Sequence, residues 1–153
     1  MTSTLELRLV STPAEMAECL AVRRAVFIEE QGVSEHEEID AHDGDPTGVT
    51  TAVHVLGCLD GRAVAAARLL LEPPPPEYAH IGRVAVLREL RGRGHGRAVM
   101  EALQAEARRR GYSGITLAAQ LQAIPFYERL GYVVRDDVFI DAGIEHRWMD
   151  LRF

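Results

Sequence analysis

Residues 91–97 read Arg91-Gly92-Arg93-Gly94-His95-Gly96-Arg97. They follow a strand-like run over 80–86 and lead into a helix whose apolar stripe is Val99, Met100, Leu103 and Ala107, ending at Gly111. A glycine-rich turn at a helix start brings unpaired backbone N–H groups to the positive end of the helix dipole, and glycine lets a ligand approach them closely. Phosphate is the natural occupant. Two common phosphate patterns fail here: the residues three beyond Gly94 and Gly96 are Arg97 and Val99 rather than glycine, and the phosphate-loop pattern needs a lysine. Two readings of the stretch remain: a pyrophosphate held by backbone donors with Arg93 or Arg97 beside it, or a glycine-rich turn with solvated arginines.

Working outward, the chain alternates strand and helix patterns. Leu5, Leu7 and Leu9 fit a half-buried strand. Thr12, Pro13 and Glu15 make a capping-box helix start, and Met16, Leu20 and Phe27 continue at helical spacing to Gly32. The stretch 32–50 has no sustained period and reads as a long irregular connection, a type that is usually functional or mobile. Strands over 51–59 and 62–71 flank Asp60-Gly61, a type I′ hairpin signal, and four prolines at 73–76 read as a stiff loop. Beyond the glycine-rich helix come a strand over 115–119, a short helix over 125–130 closed by Gly131, a strand over 132–134 and a last strand over 146–151. One mixed α/β domain accommodates this order.

Composition narrows the chemistry. All 17 cationic side chains are arginine, so a phosphate-loop lysine, a Schiff-base lysine and a kinase-type strand lysine are excluded. Residues 1–60 carry 12 acids and 3 arginines, whereas 81–110 carry 8 arginines and 3 glutamates, a net −9 followed by a net +5. The basic half suits an anionic ligand, but a formal charge of −6 overall argues against general nucleic-acid binding. Cys19 and Cys58 lack metal spacing and read as buried thiols. The polar start and the absence of an apolar run of about 18 residues indicate a cytoplasmic protein outside the membrane.

The run Arg91-Gly92-Arg93-Gly94-His95-Gly96 resembles the signature Q/R-x-x-G-x-G/A of the GCN5-related N-acetyltransferase (GNAT) superfamily, without a mismatch. A second block, Ala123-Ile124-Pro125-Phe126-Tyr127-Glu128-Arg129-Leu130-Gly131-Tyr132, is similar to that family's A-x-x-F-Y-x-x-x-G-F segment. Both fall in the expected order, so the likeness covers nearly the whole chain. Phe27-Ile28-Glu29-Glu30-Gln31 and Ala142-Gly143-Ile144-Glu145-His146 further resemble an uncharacterised bacterial subgroup. The resemblance implies a single N-acetyltransferase domain over 1–153. Its fold would be a mixed, mainly antiparallel central sheet flanked by helices, with the strands 80–86 and 115–119 splayed to admit coenzyme A.

It also implies an activity: an acetyl group passes from acetyl-CoA, the cosubstrate, to a primary amine by direct attack. An amine with a pKa of roughly 10.4 is neutral in only about one molecule in 2,500 at pH 7, a deficit of about 4.6 kcal/mol. A base must take that proton, directly or through water. Where histone-directed members carry a glutamate on the strand before the signature, this chain has His80, whose imidazole suits proton uptake near neutrality. Glu30, Asp40, His36 and His54 are the other candidates, with His54 placed mid-strand as a structural histidine. By the same likeness Tyr127 protonates the leaving thiolate, and a backbone N–H near Val84 receives the oxyanion. Val84 and Val86 pair with the pantetheine arm through backbone groups. Arg91, Gly92, Arg93, Gly94, His95, Gly96 and Arg97 cradle the pyrophosphate, with Gln120 and Phe126 beside the cofactor arm. A non-catalytic acyl-CoA sensor would keep this loop without turnover.

The acidic stretch from Glu29 to Asp43 has two readings, a solvated loop or a negative rim that attracts the amine. The second makes Glu30 and Asp40 substrate-binding. His36-Glu37-Glu38-Ile39-Asp40 approaches the zinc-protease H-E-x-x-H but ends in aspartate, so no metal is expected. The partners expected are a small-molecule or peptide amine, with no nucleic acid and no membrane. The acceptor and the oligomeric state are open, a homodimer included.

Overall fold

Strand pairing in the computed structural model, which describes residues 4–71 and 77–153, builds one eight-stranded sheet. Its order is β1(Glu6–Leu9), β2(Ala52–Leu59), β3(Arg62–Leu70), β4(Tyr78–Val86), β5(Gly114–Gln120), β8(Ile144–Arg152) and β6(Val133–Val134), with β7(Phe139–Asp141) also paired to β8. Only β4 and β5 run parallel; every other pair is antiparallel. The mixed, mainly antiparallel architecture expected from the sequence is therefore present. The proline run 73–76 lies outside the described residues.

Side-chain alternation assigns the two faces of the sheet. Helix α3(His95–Arg109) packs Val99, Met100, Leu103 and Ala107 on Val55, Ala65, Ala67, Ala79, Ile81, Ile115, Leu117 and Met149, and α4(Ile124–Arg129) adds Tyr127 to the same cluster. Helix α1(Pro13–Arg23) buries Met16, Cys19 and Val22 against Leu56, Cys58, Ala66 and Ala85 on the opposite face. Its Thr12 capping box is formed as expected, with Thr12 accepting from the Glu15 N–H. Cys19 and Cys58 are buried and unbridged, and burial pushes the Cys19 thiol up to about 12.

Several elements differ from the sequence reading. The helix expected to run to Gly32 changes at Arg24 into a π-helical segment, Arg24–Glu30, which turns Phe27 and Gln31 toward the sheet. The irregular stretch 32–50 contains a one-turn helix, α2(Glu35–Glu38), capped by Ser34, and a 3₁₀ turn at Ala41–Asp43. Strand β1 is exposed along its length, with Leu7 39% and Leu9 47% accessible, because it is an edge strand bonded only to β2. The hairpin β7–β8 was not anticipated. Its turn residues Ala142 and Gly143 have φ of 51° and 74°, the same handedness as Asp60 and Gly61 at 50° and 79°, but alanine is a weak turn signal.

Candidate active site

The site begins where two strands separate. Strands β4 and β5 pair only at Tyr78↔Gly114, Ala79↔Ile115 and His80↔Thr116. Beyond that point β4 bulges: Arg83 and Val84 stand opposite the single Ala67, between the pairs Arg68↔Gly82 and Ala66↔Ala85. Arg83 carries φ 54°, uncommon for a residue with a side chain. Its guanidinium holds the bulge to the α2 loop, donating to the Glu38 carbonyl at 3.1 Å and the Glu37 carbonyl at 3.2 Å. The bulge reverses the alternation, so Val84 and Val86 join the α3 side and Ala85 turns to α1.

A cavity of about 850 Å³ occupies the resulting opening. On one side it reaches the start of α3. Gly92 and Gly94 have φ of 76° and 86°, and Gly94 caps the helix with no side-chain hydrogen bond to the first turn, leaving its N–H groups available to a ligand. A Cβ on Gly96 would meet Phe126 Cζ at 3.2 Å, so a side chain there would press the ring back by a few tenths of an ångström. His95 lines the cavity too, and its buried Nε2 has no partner among the described residues. An anionic ligand would suit the open N–H groups of the helix start. Arg91 bonds the Val86 carbonyl at 3.0 Å and grips Glu30 through two 2.7 Å bonds.

Of the expected cofactor residues, Val84, Val86, Arg91, Gly92, Gly94, His95, Gly96, Arg97, Gln120 and Phe126 line this one cavity; Arg93 is exposed and does not. Tyr127 lines it at 8% exposure, edge-on to Phe126 (5.0 Å, 74°) and Tyr132 (5.9 Å, 69°). Burial pushes its phenol above the ordinary value. Gln120 forms a reciprocal amide pair with Gln31, at 2.8 and 3.1 Å, joining the end of β5 to the π-helical segment.

His80 sits at the last β4–β5 pair and also lines the cavity. Since Ala79 and Ile81 face α3, His80 faces the other way, together with Thr116, Ala118, Gln120, His146 and Trp148 of β5 and β8. His146 and Trp148 escaped the sequence reading, because only the β5–β8 register brings them beside the strand opening. His146 Nδ1 lies 2.7 Å from the Ile144 carbonyl, a contact in which Nδ1 donates.

Glu37 and Glu38 of the acidic stretch line the cavity, whereas the two acids expected to bind the amine are engaged elsewhere. Glu30 is tied to Arg91, and Asp40 pairs with Arg68 through two 2.8 Å bonds; neither lines the cavity. Glu38 and Asp43 are buried around Arg23, and His54 Nε2 donates to the His42 carbonyl at 2.9 Å inside the same network. Of the acids in 29–43, Glu38 and Asp43 are buried partners for arginines, Glu30, Glu35 and Asp40 pair with arginines at the surface, and Glu29 and Glu37 are exposed. Among the described residues no group of His, Cys, Asp and Glu could hold a metal ion, and no helix is long and apolar enough to cross a membrane.

Known proteins show the same arrangement. The profile of the acetyltransferase (GNAT) family matches residues 16–132. The Bacillus subtilis protein named uncharacterized N-acetyltransferase YjcF is 35% identical over 136 residues, which is 88% of this chain and 91% of that protein. Among solved structures, Escherichia coli ElaA superposes with a TM-score of 0.82 at 28% identity, covering 96% of this chain and 99% of that one. An acyl-CoA N-acyltransferase from Pseudomonas aeruginosa gives 0.78 at 27%, covering 97% and 99%. With its glycine-rich helix start, split parallel strands and buried tyrosine all inside the matched span, the chain belongs to the acetyltransferase (GNAT) family and is an N-acetyltransferase.

Proposed function

We propose that this enzyme transfers an acetyl group from acetyl-CoA to a primary amine by direct attack, the observation that carries the reading being the single cavity shared by the α3 start, Tyr127 and His80 at the β4–β5 split. The amine nitrogen forms a bond to the thioester carbonyl carbon, the carbon–sulfur bond breaks, and the products are an N-acetyl amide and coenzyme A. The ammonium loses one proton before attack and a second as the amide forms; one of the two ends on the departing sulfur.

His80 takes the proton from the amine, directly or through water. The β4 bulge, with a backbone N–H near Val84, receives the negative charge of the tetrahedral oxygen, a contribution of about 3 to 4 kcal/mol for one such donor. Tyr127 donates to the thiolate. Backbone donors of residues 92–97, with Arg91, His95 and Arg97 around them, hold the pyrophosphate, and Arg93 adds charge from the outside. Val84, Val86, Gln120 and Phe126 flank the pantetheine arm.

Thiol release from acetyl-CoA across a panel of amines tests this reading. Amine-dependent release with an acetylated product by mass spectrometry is expected; tight acetyl-CoA binding with no release for any amine would instead establish a sensor. Binding has its own test. In Gly94→Ala the new side chain is strained by about 1 to 2 kcal/mol at φ 86°, and the free turn relieves that strain by moving its N–H groups out of the phosphate-binding geometry, so binding must restore the strain and the acetyl-CoA Kd measured by calorimetry should rise up to about tenfold. An unchanged Kd places the phosphates elsewhere.

A further inference from the structure

The acceptor side of the cavity has a definite chemical character. Trp148 and Phe139 stack at 5.3 Å with planes 19° apart, and Phe139 continues to His146 at 5.7 Å and 24°. His80 meets Trp148 edge-on, at 5.7 Å and 68°. These four rings all line the cavity and come from the face opposite α3, so they lie across the sheet from the Tyr127 side. Near-parallel rings along one wall, ending in an edge-on imidazole at the strand split and with the Arg135 guanidinium 5.7 Å from the Trp148 ring centre, present an aromatic surface on which another flat ring can pack.

Charge on this wall is partly cancelled, with Asp141, on the face of β7 that carries Phe139, and Glu37 lining the cavity without an arginine partner among the described residues. Glu38 reaches into the cavity but is held by Arg23 at 2.8 Å and Arg83 at 3.1 Å. Asp40, beside it, is bound by Arg68. Glu37 accepts from the Ser34 hydroxyl at 3.0 Å. Two carboxylates suit a single ammonium, whereas a polycation of three or more charges would shed water here without a matching set of partners.

We infer that the acceptor is a primary amine carried on an aromatic ring by a short alkyl arm: the ring adds to the Trp148–Phe139 stack while the nitrogen reaches the β4–β5 split beside His80. This rests on the acetyl-transfer reading above. The transfer is the same as there, with the arylalkyl ammonium supplying both protons and the sulfur leaving as coenzyme A.

The test compares kcat/KM for phenethylamine and tryptamine with hexylamine, spermidine, kanamycin and a lysine peptide, with acetyl-CoA Kd measured in parallel. The aromatic amines should exceed hexylamine about tenfold, the value of one ring–ring contact. Phe139→Leu and Trp148→Leu should each shrink that ratio toward one, while circular dichroism and acetyl-CoA Kd establish that the variants are folded. Equal rates for aryl and alkyl amines, or faster acetylation of spermidine, kanamycin or the peptide, overturn the aromatic acceptor and leave acetyl transfer standing. Acetyl-CoA binding with no amine acetylated overturns both. A preference for aromatic amines that survives both substitutions in folded protein places the ring elsewhere and overturns the inference.

Discussion

A Tyr127→Phe variant should lose about 100-fold in kcat, the lower end of what a positioned proton donor contributes, while acetyl-CoA Kd and thermal stability stay close to the parent values. The substitution keeps the ring, and with it the edge contacts to Phe126 and Tyr132. It removes a hydroxyl that accepts from and donates to no described residue, so no partner is left orphaned. The adjacent phenol is a poorer candidate, because the Tyr132 hydroxyl is committed to Gln104 at 2.8 Å. Burial raises the Tyr127 phenol above its ordinary value of about 10, so the proton is present throughout the working pH range and no acidic or neutral limb of the pH profile should come from this residue. Stopped-flow or steady-state thiol assays measure the effect. Undiminished turnover would remove Tyr127 from the chemistry.

Arg23→Met should destabilise the fold by about 3 kcal/mol, read as a lower denaturant midpoint at unchanged slope. Arg23 is 1% exposed at the end of α1 and donates to Glu38 at 2.8 Å, to Asp43 at 2.6 and 2.9 Å, and to the Glu38 carbonyl at 2.9 Å. Methionine fills similar space but leaves carboxylates buried beside it. Arg83 and Arg68 still reach them, which keeps the loss near the low end for a broken buried pair. Because Glu37 and Glu38 line the cavity, KM for the amine should rise more than kcat falls.

The same network gives the loss a pH dependence. Burial pushes the Asp43 carboxyl up, but the Arg23 hydrogen bonds and charge outweigh it and hold the group well below the usual range. A depressed folded-state value stabilises the protein above the unfolded aspartate value of about 3.9 and ceases to do so as pH falls through the folded one. Asp40 shifts the same way. Glu38 shifts upward, since burial outweighs its arginines. The gap between parent and Arg23→Met should therefore narrow below about pH 4, carried by Asp43; a gap that widens there would contradict the assignment.

Local signals were strong where one short segment decides its own conformation. The Thr12 capping box, the Asp60-Gly61 turn and the glycine helix start at 92–96 each depend on residues within a few positions of one another. The π-helical segment was not legible, because its register is set by packing Val26 on the sheet and by Gln31 reaching Gln120, 89 residues away. Nor was the fate of the acids. Composition shows that 29–43 is acidic, but only the fold brings Arg23, Arg68 and Arg83 around Glu38, Asp40 and Asp43 while Glu29, Glu35 and Glu37 stay exposed.

The sequence by itself determined the family, the sheet class, the phosphate-suited loop and the tyrosine, since each rests on spacing along one segment. The tertiary structure alone decided what faces the acceptor. His80, Phe139, His146 and Trp148 lie on three strands, and strand alternation, the Arg83–Val84 bulge and the β5–β8 register turn them into one wall. A single-residue slip in any of those pairings would send the side chains to the opposite face. No pattern within one strand encodes that convergence.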